Sequence, residues 1–223
     1  MSFPHYQLFA ELFRYPENHF RQQVEICLDW LKKSHPLTAP ELETFYHAIL
    51  RMDLDQSQAL YTRSFDVQAI TTLDVAYVLF GDDYKRGEIL SHLNREHLKV
   101  QNDCGIELAD HLPNLLCLIS KLEEGDLLRE LVSEILAPAL QRMIGEFECD
   151  RLDKKNEMYK KHYKTLIEMP ALDNKIYQYA FKALYAVVQN DFGIQEKDLK
   201  KTSSCDFLNS VSAELDVEKV SKE

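Results

Sequence analysis

Apolar residues recur along this chain at steps of three and four, and its first elements follow from that spacing. Tyr6, Phe9, Leu12 and Phe13 share one face of a helix that stops at Tyr15-Pro16, because the residue before a proline is pushed out of the α region. A second helix fits Glu17 to Lys33, with Phe20, Val24, Cys27, Leu28 and Leu31 on one side and Pro36 just beyond. Pro40 opens a third with Glu41 and Glu43, since proline suits a first turn and acids suit the positive end of the helix dipole. It presents Leu42, Phe45, Tyr46, Ile49 and Leu50. A fourth runs from Asp55 to Phe65 through Leu60 and Tyr61.

The run Leu73 to Phe80 is short, apolar and rich in valine, which fits a strand or a buried helix. No partner strand shows elsewhere, so it is read as a helix closed by the turn Gly81-Asp82-Asp83. Tyr84 to Lys99 is helical, with a stripe of Ile89, Leu90, Leu93 and Leu98. Gln101 to Gly105 is a loop in which Gly105 supplies positive φ, and residues 101–113 form a candidate hinge. The longest pattern starts at Gly125-Asp126 with Asp126 as N-cap, and continues to Phe147. Pro138 lies inside it and should kink it, freeing the carbonyl a turn earlier. Lys154 to Glu168 is a polar, charged helix ending near Met169-Pro170, and Leu172 to Gln189 is the last apolar one. The chain turns polar beyond Gly193. The expectation is one all-α domain over residues 1–193, a bundle of about eight to ten helices, followed by a disordered tail over 194–223.

Composition narrows the partners. Hydrophobic residues make up 45% of the 223, enough for a core, and only six Gly and seven Pro argue against a turn-rich β architecture. A net charge of −11 disfavours nucleic acid and anionic membrane surfaces and suits a basic partner, although solubility alone also explains it. Cys27, Cys104, Cys117, Cys149 and Cys205 are odd in number and widely spaced, with no CxxC pair. Cys27 and Cys117 sit among apolar residues as small core hydrophobes. The N-terminal residues lack the pattern of a secretory leader, and no run reaches the roughly 18 apolar residues that cross a bilayer. A soluble, cytoplasmic protein without direct membrane insertion is the expectation.

Candidate chemistry gathers between Tyr61 and His111. Asp110 and His111 adjoin, with Glu107 a turn earlier, and together they orient a ligand or form a polar hinge. Asp110 alone also reads as the cap of a helix that begins at His111-Leu112-Pro113. The Asp110–His111 pair resembles an acid–base unit, yet neighbours in a helix rarely point at each other, and no nucleophile is placed beside them. Glu88, His92, Glu96 and His97 suggest metal ligands, but HExxH is absent and an exposed polar face explains them better. Gly87, after Arg86, costs about 1 kcal/mol inside a helix relative to Ala, so it implies close backbone approach or a helix that starts later. Tyr61, Phe65 and Asp66 close the fourth helix as core or as a groove. The aromatic set Phe3, Tyr6, Phe9 and Phe13 suits a groove for an amphipathic peptide helix as well as a core.

Four segments, taken together, resemble one family. Leu12-Phe13-Arg14-Tyr15-Pro16, Leu60-Tyr61-Thr62-Arg63-Ser64-Phe65-Asp66, Gly81 through Arg86-Gly87, and Glu107-Leu108-Ala109-Asp110-His111-Leu112-Pro113 are similar in order and spacing to the NarJ-type molybdoenzyme assembly chaperones. These form the nitrate reductase delta subunit family, related to the TorD/DmsD redox-enzyme maturation proteins. The resemblance covers roughly residues 5–145, and Ala109 stands where the family has proline. It implies an all-helical cytoplasmic chaperone without catalytic turnover, binding the N-terminal leader-like segment of an apo molybdoenzyme catalytic subunit. The client would receive bis-molybdopterin guanine dinucleotide before membrane attachment or export, while the chaperone binds no cofactor or metal stably. It would act as a monomer or weak homodimer, with no nucleic-acid partner. Tyr61, Phe65, Asp66, Arg86 and Gly87 would line the client groove, and Glu107, Asp110, His111 and Leu112 would form the hinge motif. The alternatives are a small helical hydrolase using Asp110 and His111, or a permanent non-catalytic subunit of the oxidoreductase.

Overall fold

The computed structural model describes residues 2–163 and 175–195. Among these the chain is α-helical, joined by turns and one isolated β-bridge. Phe13 and the turn after it end α1 (Tyr6–Leu12), whose Tyr6, Phe9, Ala10 and Leu12 are buried. The second helix, α2, is Phe20–Ser34, three residues shorter at its start than the sequence suggests. Residues 17–19 form a turn there instead, with the Phe20 N–H donating to the Glu17 carbonyl at 2.9 Å. Pro40 lies in the first turn of α3 (Ala39–Leu50). A capping box starts α4 (Leu54–Phe65): the Asp53 carboxylate accepts from the Gln56 N–H, and the Gln56 side chain accepts from the Asp53 N–H.

The Leu73 to Phe80 run divides. Leu73 lies in a bend and Asp74 is extended, and α5 (Val75–Phe80) begins only after them, closed by Gly81 at φ 58°. A single bridge pairs Asp74 with His111 through the Leu73 carbonyl and the Val75 N–H, while both valines of the run, Val75 and Val78, lie in the helix. Tyr84–Lys99 forms α6, capped by the Asp83 carboxylate at the Lys85 N–H. Leu112–Lys121 forms α7, buried from Leu112 to Ile119.

Gly125, not Asp126, is the N-cap of α8 (Asp126–Glu130), and Asp126 makes no capping bond. The chain then runs through a π-helical stretch, Leu131–Leu136, into α9 (Ala137–Glu146). Pro138 sits in the first turn of α9. Having no N–H, it cannot continue the α ladder back to the Glu134 carbonyl, and the backbone widens there. The polar helix α10 (Cys149–Tyr163) starts five residues before Lys154. The last, α11, is Ile176–Phe192, closed by Gly193 in the left-handed region. The expected end of the polar helix near Met169-Pro170, the expected start at Leu172, Cys205 and nearly all of the proposed tail lie outside the described residues.

The core gathers on α11. Its Tyr177, Ala180, Phe181, Ala183, Leu184, Val187 and Val188 are buried, so it is apolar on most sides and packs against α3 and α9. Phe13 stacks on Phe181 at 4.7 Å, which brings α1 in, and α1 in turn packs on α2 and α7. Cys27 and Cys117 are free and buried, as their apolar neighbours indicate. No described helix is long and apolar enough to cross a membrane.

Candidate functional site

The three chain segments around Asp74, Arg86 and Asp110 meet as a clasp. The Val75 N–H donates to the Asp110 carbonyl at 3.0 Å, and the Leu112 N–H donates to the Leu73 carbonyl at 2.8 Å. The Asp110 side chain does not cap α7, whose N-cap is His111. Its Oδ2 instead accepts from the Ala76 N–H at 3.1 Å, so Asp110 caps α5 from a distant part of the chain. Arg86 completes the clasp. Its Nη2 donates to Asp74 at 2.9 Å, while its Nε lies 3.7 Å from Asp110 Oδ2, too long for a hydrogen bond but close enough to balance charge. The guanidinium also lies over the Tyr77 ring at 4.9 Å. Burial pushes the Asp110 carboxyl up from its ordinary value and Asp74 adds to this, against the pull of Arg86. At the other end of α5, Arg142 donates to the Val78 and Leu79 carbonyls at 2.8 and 3.0 Å.

The candidate hinge is firmly fastened. His97, buried at the end of α6, is bonded through Nε2 to the Ala109 carbonyl at 3.0 Å and through Nδ1 to the Asn102 amide at 2.8 Å. A carbonyl only accepts, so Nε2 carries the proton and Nδ1 is the acceptor. Asn102 also donates to the Asn114 carbonyl, and Asn114 donates to the Cys104 and Leu108 carbonyls at 3.1 and 3.0 Å. Sequence reasoning missed Asn102 and Asn114. Asn114 carried a readable signal, a lone amide within the apolar run Leu112 to Ile119, where only a hydrogen-bonded side chain is tolerated.

Both His97 and His111 are held below their ordinary value of 6.5, chiefly by burial. Lys121 also lowers His97; Arg14 lowers His111, against Glu107 and Asp74. As pH falls through 6.5 the unfolded chain takes up these protons first, so the stability is present above 6.5 and lost below it. The Tm is expected to drop between about pH 7 and about pH 5, and less so in His97→Gln, as thermal unfolding across that range would show.

In front of the clasp lies a cleft of about 280 Å³. Arg14, Tyr15 and Glu17 line it from the turn after α1, Tyr61 from α4, and Glu107 and His111 from the hinge. The Tyr61 hydroxyl donates to the Phe13 carbonyl at 3.3 Å, and Tyr15 meets its ring edge to face at 5.4 Å. Burial raises the Tyr61 hydroxyl pKa, with Glu107, Asp66 and Asp74 adding to the effect. Arg14 is paired with Glu11 at 3.1 Å. His111 Nδ1 is buried and has no hydrogen-bond partner among the described residues. The cleft therefore sets the His111 ring among charges of both signs, an arrangement suited to binding a polar segment.

The other sequence-derived positions are dispersed. Phe65 turns into the core, 4.6 Å from Tyr177 and 5.0 Å from Tyr61. Asp66 is exposed at the end of α4. Arg86 belongs to the clasp behind the cleft, and Leu112 is buried as the first residue of α7. His97 is buried, whereas Glu88 and His92 are exposed, and no metal-ligating group of three occurs among the described residues. Gly87 lies in the first turns of α6, which starts at Tyr84 rather than at Gly87, and nothing lies within 4 Å of where its Cβ would stand. No close backbone approach requires it. Gly87→Ala is accordingly expected to stabilise the fold by about 0.5–1 kcal/mol, read from urea unfolding.

Compared with known proteins, the chain matches no family model and no curated protein.

Proposed function

We propose that this is a protein of the assembly-chaperone class, one that binds a segment of an unfinished partner and performs no catalytic turnover. More particularly, it is read as a NarJ-type chaperone. On this reading it holds the N-terminal leader-like segment of an apo molybdoenzyme catalytic subunit in the cytoplasm. The client receives its bis-molybdopterin guanine dinucleotide before membrane attachment or export, and the chaperone works as a monomer or weak homodimer.

One observation carries this reading. Segments far apart in sequence, which carry the resemblance, meet at one cleft: Arg14 and Tyr15 from the first, Tyr61 from the second, Glu107 and His111 from the last. Arg86 of the remaining segment braces Asp110 directly behind it. A client segment in the cleft would lie against Tyr61 and Tyr15, between the Arg14 guanidinium and the Glu107 carboxylate, with the His111 ring at its back. Affinity purification of the tagged protein from anaerobically grown source cells tests this. A large molybdoenzyme subunit, recovered mainly without cofactor and lost in His111→Ala, is the expected result. Recovery of no such subunit under inducing conditions would overturn the proposal.

A further inference from the structure

A second depression lies on α6, the end of α7, α8 and the π-helical stretch, and its chemistry differs from that of the cleft. It encloses about 610 Å³. Its floor is apolar: Ile89 and Leu93 from α6 face Leu131 and Ile135 from the π-helical stretch. Leu127 stands at one end with 47% of its surface exposed, beside Leu122. Four residues separate Leu127, Leu131 and Ile135 in turn, so they form a continuous ridge. The wider π turn belongs to this wall, and such turns are frequent where a helix serves a function beyond packing.

The rim is acidic. Glu88 and Glu96 edge one wall, and Glu130 and Glu134 edge the other. His92 is the remaining titratable group, and no lysine or arginine lines the groove among the described residues. Glu88 and Glu96 stand eight residue steps apart, about 12 Å or two helical turns. Walls of that length match an occupant that presents apolar side chains at i, i+3 or i+4, and i+7.

We infer that this acid-rimmed groove docks an amphipathic helix of a partner protein, whose apolar face meets the leucine and isoleucine floor and whose lysines or arginines meet Glu88, Glu130 and Glu134; Glu96 is already paired with Lys99 at 2.7 Å. The groove shares no lining residue with the Tyr61–His111 cleft, and the inference holds whatever occupies that cleft. Charge complementarity selects this occupant: an acidic or neutral helix would bury the glutamates without a counter-charge, and a second copy of this chain, with net charge −11, would bring mostly like charge.

The test uses the full chain and a fluorescent synthetic peptide of about 18 residues, with Leu and Ile at helical spacing and Lys and Arg between them. Saturable binding in an anisotropy titration is expected. The triple variant Glu88→Lys/Glu130→Lys/Glu134→Lys, all exposed positions, should weaken it by about tenfold. Glu25→Lys/Asp153→Lys/Glu157→Lys brings the same net charge on other exposed faces and should weaken it by less than about threefold. Leu127→Glu should abolish binding while leaving the circular dichroism melt unchanged. Equal binding of a permuted peptide with the same composition would overturn the inference, as would equal losses in the two triple variants. Self-association of the chain that Leu127→Glu abolishes would also overturn it, assigning the groove to a second copy.

Discussion

Asp110→Ala is expected to lower the unfolding free energy by about 2–4 kcal/mol, among the largest losses any single substitution here should give. Two contributions add. The Ala76 N–H at the start of α5 loses its acceptor, and Arg86 loses one of its two buried or half-buried carboxylates. Asp74 remains within 2.9 Å of Arg86, which keeps the loss below that of a fully orphaned charge. Asp110→Asn separates the contributions, because an amide oxygen still accepts from Ala76. The Asp110 carboxyl is pushed up from its ordinary value, so its surroundings disfavour the ionised form on balance. The Asn variant should therefore lose less than about 1 kcal/mol. Urea unfolding of the two variants decides: equal losses would mean that the charge, not the cap, holds the clasp.

The second large effect concerns how α10 is attached. Its Lys155 is buried, 2.6 Å from the buried Glu146 of α9, and donates to the Ile70 carbonyl. Burial pushes the Lys155 ammonium down to about 8, against the pull of Glu146. Arg151 also pairs with Glu146, at 2.5 Å. Glu146→Leu leaves a buried ammonium without its carboxylate and is expected to lose about 3–5 kcal/mol. Adding Lys155→Met should restore more than about half of that, since an apolar pair in place of a buried ion pair is often neutral. A double-mutant cycle by chemical unfolding measures this directly. A double variant as unstable as Glu146→Leu would show that the Ile70 contact, not the ion pair, carries the attachment.

Most helices were legible because each buries one face, and that face repeats in the sequence. Tyr84–Lys99 matches its expected limits and α3 and α4 match theirs closely, whereas α1 ends at Leu12, three residues before the expected stop at Tyr15-Pro16. Errors cluster where a partner far along the chain decides local structure. Nothing near Leu73 announces that Leu73 and Asp74 stay outside the helix, because the reason lies at Asp110 and Leu112. Asp110 sits at a sound N-cap position by local rules, yet its side chain serves another helix. The polar helix α10 carried no apolar stripe long enough to reveal its start. Its attachments include Lys155 and Arg151 to Glu146, Arg63 to Asn156 at 2.8 Å and Tyr159 to the Ala69 carbonyl at 3.0 Å, pairings invisible to periodicity. Of the candidate site, residue identities were legible but their grouping was not: Arg86 reads as groove and belongs to the clasp, while Arg14 and Tyr15, read as the end of the opening helix, lie in the turn after it and reach the cleft.

The bridge between Asp74 and His111 also makes the chain between them a ring, closed by hydrogen bonds rather than by covalent chemistry. Inside that ring, Ile106 is fully exposed, next to Gly105 in the left-handed region. Lengthening a closed loop adds little entropy cost, about 0.6 kcal/mol per doubling. The tip can thus gain, lose or exchange residues while His97, Asn102 and Asn114 keep both ends in place. Substitutions at this tip would reshape the edge of the cleft next to Glu107 and leave the bundle beneath it in place.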